Sequence, residues 1–173
     1  MKNIKYLLFL SAFFVLSCQE EYEAPVSATV NMNGVWWVEL LFDANSDGAI
    51  DADDILILDY HDVGEPGIVT SNVASNAPDT VMVIDVTGLW PFKGKFPVDY
   101  PNLLFSPATG LPNMEVEDES VSVIAGKVIK GGATTLSGGT TDSIFMALEF
   151  SDDPGSVYMF SGHRYTGFPE DNH

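Results

Sequence analysis

Short runs of β-branched and aromatic residues alternate with turn residues along most of the chain. Clusters of Gly, Pro, Asn and Asp separate these runs, which is the pattern of strands joined by tight turns. The predicted strands are Val35–Phe42, Ile55–Tyr60, Gly67–Val73, Thr80–Val86, Lys93–Tyr100, Met114–Glu117, Val121–Ile129, Ser143–Phe150 and Val157–Tyr165. After the first 18 residues, no segment keeps a helical period over as many as about 12 residues. The pattern therefore predicts an all-β domain.

The alternation is clearest in the last two predicted strands. Ile144, Met146, Leu148 and Phe150 share one face, and Glu149 points to the other. About eight antiparallel strands joined in sequence order form a meander, which can close into a small barrel without exposed edges. A barrel of that size can hold one small ligand. A two-sheet β-sandwich is the alternative, because strand periodicity does not distinguish the two.

One pair of positions favours the barrel. The first strand opens with Gly34-Val35-Trp36, and the chain's one arginine, Arg164, lies in the last strand. These residues resemble the lipocalin-type (calycin) signature, a G-x-W on the first strand with a basic residue of the last strand packed across the indole. The resemblance implies that the guanidinium lies on the tryptophan face and closes one barrel end by a cation–π contact and carbonyl hydrogen bonds. The alternative is a core tryptophan and a surface arginine that do not meet.

The first 18 residues differ in pattern from the rest of the chain. Two lysines precede the apolar run Tyr6–Val15, and Leu16-Ser17-Cys18 follows it, with the only cysteine of the chain. The run is too short for a spanning helix, which needs roughly 20 apolar residues. The segment before Cys18 resembles the site where lipoprotein signal peptidases cut. We therefore expect a signal peptide at residues 1–17 and lipidation of Cys18, the alternative being an ordinary secretory signal.

The chain is strongly acidic, with 25 Asp and Glu residues against seven Lys and Arg residues and a formal charge of −18. Two of the lysines lie in the signal peptide, so five basic residues would remain in the mature chain, whose charge would be −20. Such a surface repels phosphate backbones and anionic headgroups, which excludes nucleic acid as a partner and electrostatic docking as the means of membrane attachment. Acyl chains on Cys18 would have to provide the anchor.

The rest of the chain divides into a tether and one domain. We expect residues 18–32 to be the lipidated cysteine with an acidic tether, and residues 33–173 to form the lipocalin-like β-barrel domain. The acidic run Gln19–Glu23 resembles the export signal that sends some Gram-negative lipoproteins to the outer face of the outer membrane. This favours an outer membrane lipoprotein that faces the cell surface, whereas a plain solvated tether is the alternative.

An acidic loop, residues 43–54, has the spacing of an EF-hand-like calcium site. The expected ligands are the side chains of Asp43, Asn45, Asp47, Asp51 and Asp54 and the backbone carbonyl of Ala49. Gly48 would permit the sharp turn, and the short Asp54 side chain in the last position indicates weak affinity. Asn, Asp and Gly also form turns without a metal, so a solvated hairpin tip is the alternative. Ca²⁺ is the one cofactor that the sequence suggests.

Candidates for catalysis are few. Nucleophilic hydrolysis needs an activated Ser, Cys or Thr beside a base, usually a His oriented by a carboxylate. The best set is His163 with Asp142 or Asp153 and Ser143 or Ser161. The spacing does not require these residues to meet, and the chain has neither a G-x-S-x-G nor an H-E-x-x-H motif. The sequence therefore does not support an enzyme. The other two histidines are His61 and His173, and we expect His173 to fray because it lies at the C-terminus.

The C-terminal segment resembles a known family. The residues that carry the resemblance are Thr141–Phe150, Ser151–Gly155 and Ser161–Phe168, with the first strand Gly34–Val38. They resemble the family known as "lipid-binding putative hydrolase", which comprises small lipocalin-like domains of Gram-negative surface lipoproteins. The resemblance implies a barrel that binds a lipid or another apolar molecule, and the family name also implies hydrolysis.

Three functions remain open from the sequence. The first is a membrane-anchored lipoprotein whose barrel binds a lipid or another small apolar ligand. The second is a calcium-stiffened surface module that adheres to a protein or glycan partner. The third is a hydrolase, which has the least support because no catalytic motif is present.

Overall fold

The computed structural model describes residues 26–173, which contain ten strands and one short helix. The strands are β1 Gly34–Phe42, β2 Ile55–Asp59, β3 Ile68–Asn72, β4 Thr80–Asp85, β5 Lys93–Asp99, β6 Leu104–Phe105, β7 Ala108–Pro112, β8 Ser120–Thr134, β9 Thr140–Phe150 and β10 Tyr158–Arg164. The helix α1, Tyr60–Val63, follows β2 directly. Three 3-10 turns cover Val30–Met32, Tyr100–Asn102 and Pro169–Asp171.

The predicted signal peptide, Cys18 and the acidic run Gln19–Glu23 lie outside the described residues. Among residues 26–173, no helix has the length and apolar character needed to cross a bilayer.

Eight of the strands close into one antiparallel barrel, in the order β1, β3, β4, β5, β6, β8, β9, β10 and back to β1. β1 and β10 form the closing pair, with a register that runs from Trp36 opposite Arg164 to Phe42 opposite Tyr158. β2 pairs with the second half of β1, and β7 pairs with β8 outside the ring. The predicted all-β barrel is therefore confirmed, and the closed ring excludes the two-sheet sandwich.

Aromatic side chains fill part of the barrel interior and form its core. The exposed fraction is 0% for Trp36, Phe92, Phe96 and Phe160. No void large enough for a water molecule therefore adjoins them. The ring of Phe92 lies 5.4 Å from that of Phe160 and 6.3 Å from that of Phe96, measured between centroids. Burial of each such side chain contributes roughly 1.5–3 kcal/mol to stability. This core stabilises the barrel but leaves no space for a ligand beside it.

The packed domain begins before residue 33. Thr29 and Met32 are fully buried, and Met32 belongs to the main hydrophobic core. The hydroxyl of Thr70 donates to the Met32 carbonyl at 2.5 Å and accepts the indole N–H of Trp36 at 2.8 Å. Residues 29–32, which the sequence places in the tether, are therefore part of the barrel end.

One predicted strand is wrong. Met114–Glu117 forms bends and a turn, and the paired strand is β7, just before it. The Asn113 side chain, only 7% exposed, accepts the backbone N–H groups of Lys93 and Glu115, both at 3.1 Å. These hydrogen bonds hold the backbone in a turn, although the residues that follow alternate like a strand.

Candidate functional site

The arginine of β10 covers one end of the barrel. The guanidinium carbon of Arg164 lies 4.5 Å from the centroid of the Trp36 ring, and its Nη1 donates to the Asn33 carbonyl. A Cβ atom on Gly34 would lie 2.6 Å from that Nη1, so glycine leaves the space that the guanidinium occupies. The structure therefore brings Gly34, Trp36 and Arg164 together in a cation–π contact supported by hydrogen bonds.

Asp142 is the ion-pair partner at the same end. Its Oδ2 accepts from Arg164 Nε at 3.0 Å and from Lys130 Nζ at 2.7 Å, and its Oδ1 accepts the Gly131 N–H at 3.0 Å. Burial raises the pKa of Asp142, but the hydrogen bonds from Lys130 and Gly131 and the charges of Arg164 and Lys130 outweigh it, so the pKa lies below its usual value. Asp142 is thus an ionised carboxylate held by two cations.

His163 and Ser143 are cross-strand neighbours on β10 and β9. Ser161 lies two residues before His163 on the same outer face of the barrel. The imidazole has other partners, because its Nδ1 lies 3.2 Å from the Arg164 carbonyl oxygen and its Nε2 lies 2.9 Å from Nε2 of His173. The serines therefore lie close to His163, but its ring nitrogens contact other groups.

The two candidate carboxylates are engaged elsewhere. Asp153 lies in the loop before β10, where it accepts the Tyr158 hydroxyl at 2.6 Å. This hydrogen bond lowers the pKa of Asp153 and raises the pKa of Tyr158 to about 12. Asp142 is paired with Arg164 and Lys130. Neither predicted carboxylate therefore orients His163, as nucleophilic catalysis would require.

The three histidines of the chain meet on the outer face of the barrel, beside Trp37. The rings of His61 and His173 stack with centroids 3.7 Å apart, and the His163 ring lies 5.2 Å from that of His173. Burial, with the charges of His61 and His163, lowers the pKa of His173. We call His61, His163 and His173 the histidine cluster; no sequence motif indicates it, because the three positions lie on separate elements.

Two elements of the fold hold the first two members of the histidine cluster. Asp59 caps α1 by accepting the backbone N–H of His61 at 2.8 Å, and its Oδ1 also lies 3.2 Å from His61 Nδ1. His163 lies in β10 opposite Trp37 of β1, so both side chains point away from the barrel interior. The outer side of the closing strand pair therefore forms the floor of the cluster.

The tail after β10 supplies the third member. The Asp171 carboxylate accepts the Ser137 N–H at 3.0 Å and the Thr166 hydroxyl at 2.7 Å. Hydrogen bonds from Ser137 and Thr166 lower the pKa of Asp171. His173 therefore packs against the barrel and does not fray, because these bonds fix the tail two residues earlier.

The acidic loop folds through hydrogen bonds between its side chains and its backbone. Asp43 is 2% exposed, and its carboxylate accepts the N–H groups of Asp47 and Gly48 at 3.2 and 2.9 Å. Oδ2 of Asp54 accepts the Asp51 N–H at 2.7 Å, whereas its Oδ1 is buried with no hydrogen-bond partner among the described residues. The first and last predicted ligands are thus both partly shielded from solvent.

The middle of the loop is held in the same way. Asn45 accepts the Asp47 N–H at 3.1 Å and donates to Asp51 Oδ2 at 3.1 Å, and the Ala49 N–H donates to Asp47 Oδ1 at 2.8 Å. Within residues 26–173, no three carboxylates of this loop place oxygen atoms within 4.8 Å of one another. The carboxylates among the predicted calcium ligands therefore share one loop, in which no three of them cluster within that distance.

A groove lies between the acidic loop and the outer face of β8 and β9. Its volume is about 390 Å³, which falls in the range of small-molecule sites. Ile50 and Ile129 line it and are 44% and 45% exposed, and Phe145 lies opposite Lys127 in the β8–β9 register. The other lining residues are Gly48, Ala49, Ser143, Ile144 and Ser161. This outer groove combines apolar walls with one cation, and Lys127 forms no ion pair within the described part of the chain.

The comparison with protein families agrees with the fold. The sequence profile of one family matches residues 21–169, which include all ten strands. No curated protein matches the sequence. The match covers far more than half of the chain, and the protein therefore belongs to the family described as "lipid-binding putative hydrolase".

Proposed function

We propose that the protein is a membrane-anchored lipoprotein that binds a lipid or another apolar amphiphile in the outer groove. The observation that carries the proposal is a concave surface in which exposed Ile50 and Ile129 lie beside Lys127. Covering exposed apolar side chains is favourable by roughly 25 cal/mol per Å² of buried apolar surface. The lysine suits a carboxylate or phosphate head group, although the chain as a whole carries a charge of −18.

The packed core supports the groove as the site of binding. Phe92, Phe96 and Phe160 already fill the space around one another, so an acyl chain could occupy this part of the barrel only by displacing them. Displacement would expose the rings or force them to repack, at a cost of several kcal/mol. The outer groove is open to solvent and needs no such rearrangement.

The membrane anchor is part of the same proposal. Its support is the resemblance of the first 18 residues to a lipoprotein signal peptide, with Cys18 as the acylated residue. The acidic run Gln19–Glu23 supports a position on the outer membrane that faces the cell surface. An acylated protein of this kind would hold the outer groove close to a source of lipid.

Ile129→Asp is expected to weaken the binding of a fatty acid such as oleate by at least about tenfold, because a carboxylate would replace an apolar wall of the groove. Lys127→Met should weaken it less, and added salt should no longer weaken the remaining binding, because the attraction between the lysine and the carboxylate is gone. The measurement is the displacement of a fluorescent fatty acid from the chain beginning at residue 19. All strands of the barrel lie within that length, and a cooperative thermal unfolding transition checks its folding.

Leu89→Asp is the matched control for this prediction. Leu89 is 49% exposed and lies in the loop between β4 and β5, outside the outer groove. The affinity of the Leu89→Asp variant for oleate should equal that of the unaltered chain. Equal affinities for the Ile129 variant and the unaltered chain would rule out the outer groove as the binding site.

A calcium-stiffened interaction module is the second candidate function. The observation that favours it is at Asp54, the last predicted ligand of the loop. Its Oδ1 is buried and has no hydrogen-bond partner among the described residues. Bound Ca²⁺ would supply that partner and draw the carboxylates of Asp43, Asp47 and Asp51 together. The loop also forms one wall of the outer groove, so calcium would stiffen a surface available to a protein or glycan.

Calorimetric titration should give a dissociation constant for Ca²⁺ of about 10⁻⁴ to 10⁻³ M, and Asp47→Ala should abolish the heat. The control is Asp152→Ala, which removes an exposed carboxylate of a different loop and should leave the titration unchanged. An absence of heat at millimolar Ca²⁺ in the unaltered chain would end this candidate.

Hydrolysis is not part of the proposal. Its best candidate pair, Ser143 and His163, has the geometry of neighbours on a sheet, and Asp142 is committed to Arg164 and Lys130. The family description contains the word hydrolase, but neither candidate carboxylate orients His163 as a base, because Asp153 and Asp142 have other partners and His163 Nδ1 faces the Arg164 carbonyl oxygen.

A further inference from the structure

We propose that the histidine cluster binds a divalent transition-metal ion, for which Zn²⁺ is the best match. A ring nitrogen of His61, one of His163 and one of His173 all lie within 4.8 Å of one another. Three imidazoles form one of the ligand sets that hold Zn²⁺, with a fourth position left for water or a carboxylate. This site is distinct from both the outer groove and the acidic loop.

The contacts of the Nδ1 atoms favour metal binding through Nε2. His163 Nδ1 lies 3.2 Å from the Arg164 carbonyl oxygen, and His61 Nδ1 lies 3.2 Å from Asp59 Oδ1. A proton on Nδ1 facing such an acceptor leaves the lone pair on Nε2. Metal-bound histidines in proteins are oriented in this way, with the second ring nitrogen facing a carbonyl or carboxylate.

The three Nε2 atoms have one hydrogen bond among them in the described structure. Those of His163 and His173 lie 2.9 Å apart, so one proton shared between them suffices for both. His61 Nε2 is buried and has no hydrogen-bond partner among the described residues. A metal ion would bond to this buried nitrogen and replace the shared proton between the other two.

The arrangement needs only a local adjustment to fit an ion. Zn–N bonds of about 2.0–2.1 Å in tetrahedral geometry place two ligand nitrogens about 3.3 Å apart, slightly farther than the 2.9 Å between His163 and His173. The stacked rings of His61 and His173 must also rotate apart. His173 lies on the tail after β10, so this rotation leaves the hydrogen bonds of the barrel intact.

A carboxylate beside the cluster could complete the ligand set. Glu39 and Asp59 each place an oxygen within 4.8 Å of a His61 ring nitrogen, and the two residues face each other across β1 and β2. Asp59 stays paired with His61 Nδ1, so the fourth ligand would be Glu39 or a water. The ion would thereby connect α1, β10 and the tail on the outside of the barrel.

The test uses the chain from residue 19 onward without a histidine tag. We expect calorimetry to give one Zn²⁺ per chain at this site, and Co²⁺ to produce the intense visible bands of four-coordinate geometry. His173→Ala should weaken binding of both ions by at least about tenfold, and so should His163→Ala. Saturating Zn²⁺ should raise the melting temperature of the unaltered chain and not that of His173→Ala.

Asp47→Ala is the control, because it alters the acidic loop and leaves the histidine cluster intact. Its Zn²⁺ affinity should equal that of the unaltered chain. His173 lies outside the barrel strands, so we expect the His173→Ala variant to have the circular dichroism spectrum of the unaltered chain. Its Zn²⁺ affinity can then be compared with that of the unaltered chain even if His163→Ala folds poorly. Unchanged affinity in His173→Ala, loss of binding in Asp47→Ala, or no cobalt spectrum in the unaltered chain would overturn the proposal.

Discussion

Gly162→Ala is expected to prevent normal closure of the barrel. Gly162 lies in β10 opposite Val38 of β1, within the closing strand pair. A Cβ atom there would overlap the Trp37 carbonyl oxygen and would lie 2.7 Å from the Val38 Cα. Both are backbone atoms that cannot rotate away, so the two strands would have to separate. We expect the free energy of unfolding to fall by at least about 3 kcal/mol, as measured by urea denaturation.

Gly139→Ala is the matched control for that variant. A Cβ on Gly139 would meet the hydroxyls of Thr135 and Ser137 at 3.2 and 3.8 Å, and both belong to short side chains that can rotate. Its free energy of unfolding should stay within about 1 kcal/mol of the unaltered value. Similar urea midpoints for the two alanine variants would show that β1 and β10 do not approach as closely as described.

Arg164→Met should produce the second largest loss of stability, about 2 kcal/mol. Methionine keeps an apolar stem over Trp36 but removes the guanidinium that stacks on the ring and donates to Asn33 and Asp142. The side chain of Arg164 is 25% exposed, so solvent screens part of the ion pair and the figure is set below that of a fully buried pair. Arg164→Lys should lose about half as much, since it retains the charge and loses the planar fork.

Acid unfolding gives an independent measure of the same interaction. The pKa of Asp142 in the folded state lies below its usual value, so its ionised form stabilises the fold at neutral pH. That contribution disappears as the pH falls through the folded-state pKa. Arg164→Met should raise this pKa and move acid unfolding to higher pH, and Lys130→Met should do the same, because the hydrogen bond from Lys130 is the largest of the causes that lower the pKa of Asp142. Equal melting temperatures for the unaltered chain and Arg164→Met would contradict a stabilising role for the guanidinium.

The parts of the fold that follow from local periodicity could be predicted from the sequence. β9 alternates because one of its faces packs in the barrel, so the apolar positions Ile144, Met146, Leu148 and Phe150 reveal the strand directly. The pairing of Trp36 with Arg164 could be anticipated from the resemblance to the calycin signature, because the one arginine of the chain lies in the last strand. Closure did not follow from the number of strands, which also fits a two-sheet sandwich, and the pairing of β1 with β10 in the structure establishes it.

Other features depend on contacts between distant positions, which periodicity does not encode. Asn113 turns the chain through hydrogen bonds to Lys93 and Glu115, and this overrides the strand-like pattern of Met114–Glu117. The histidine cluster unites residues from α1, β10 and the tail, so no local spacing indicates it. The sequence likewise does not tell a hollow barrel from a packed one, because apolar inward positions look the same in both.

The central claim is that an apolar ligand binds in the outer groove, outside the packed core. Photo-crosslinking with a diazirine-bearing fatty acid, followed by peptide mapping of the labelled residues, tests it most directly. We predict labels on the groove walls, at Gly48–Ile50 of the acidic loop and around Ile129 and Phe145 of β8 and β9, with competition by oleate. Labels confined to the peptides of Phe92, Phe96 and Phe160 would instead place the ligand inside the barrel and contradict the claim.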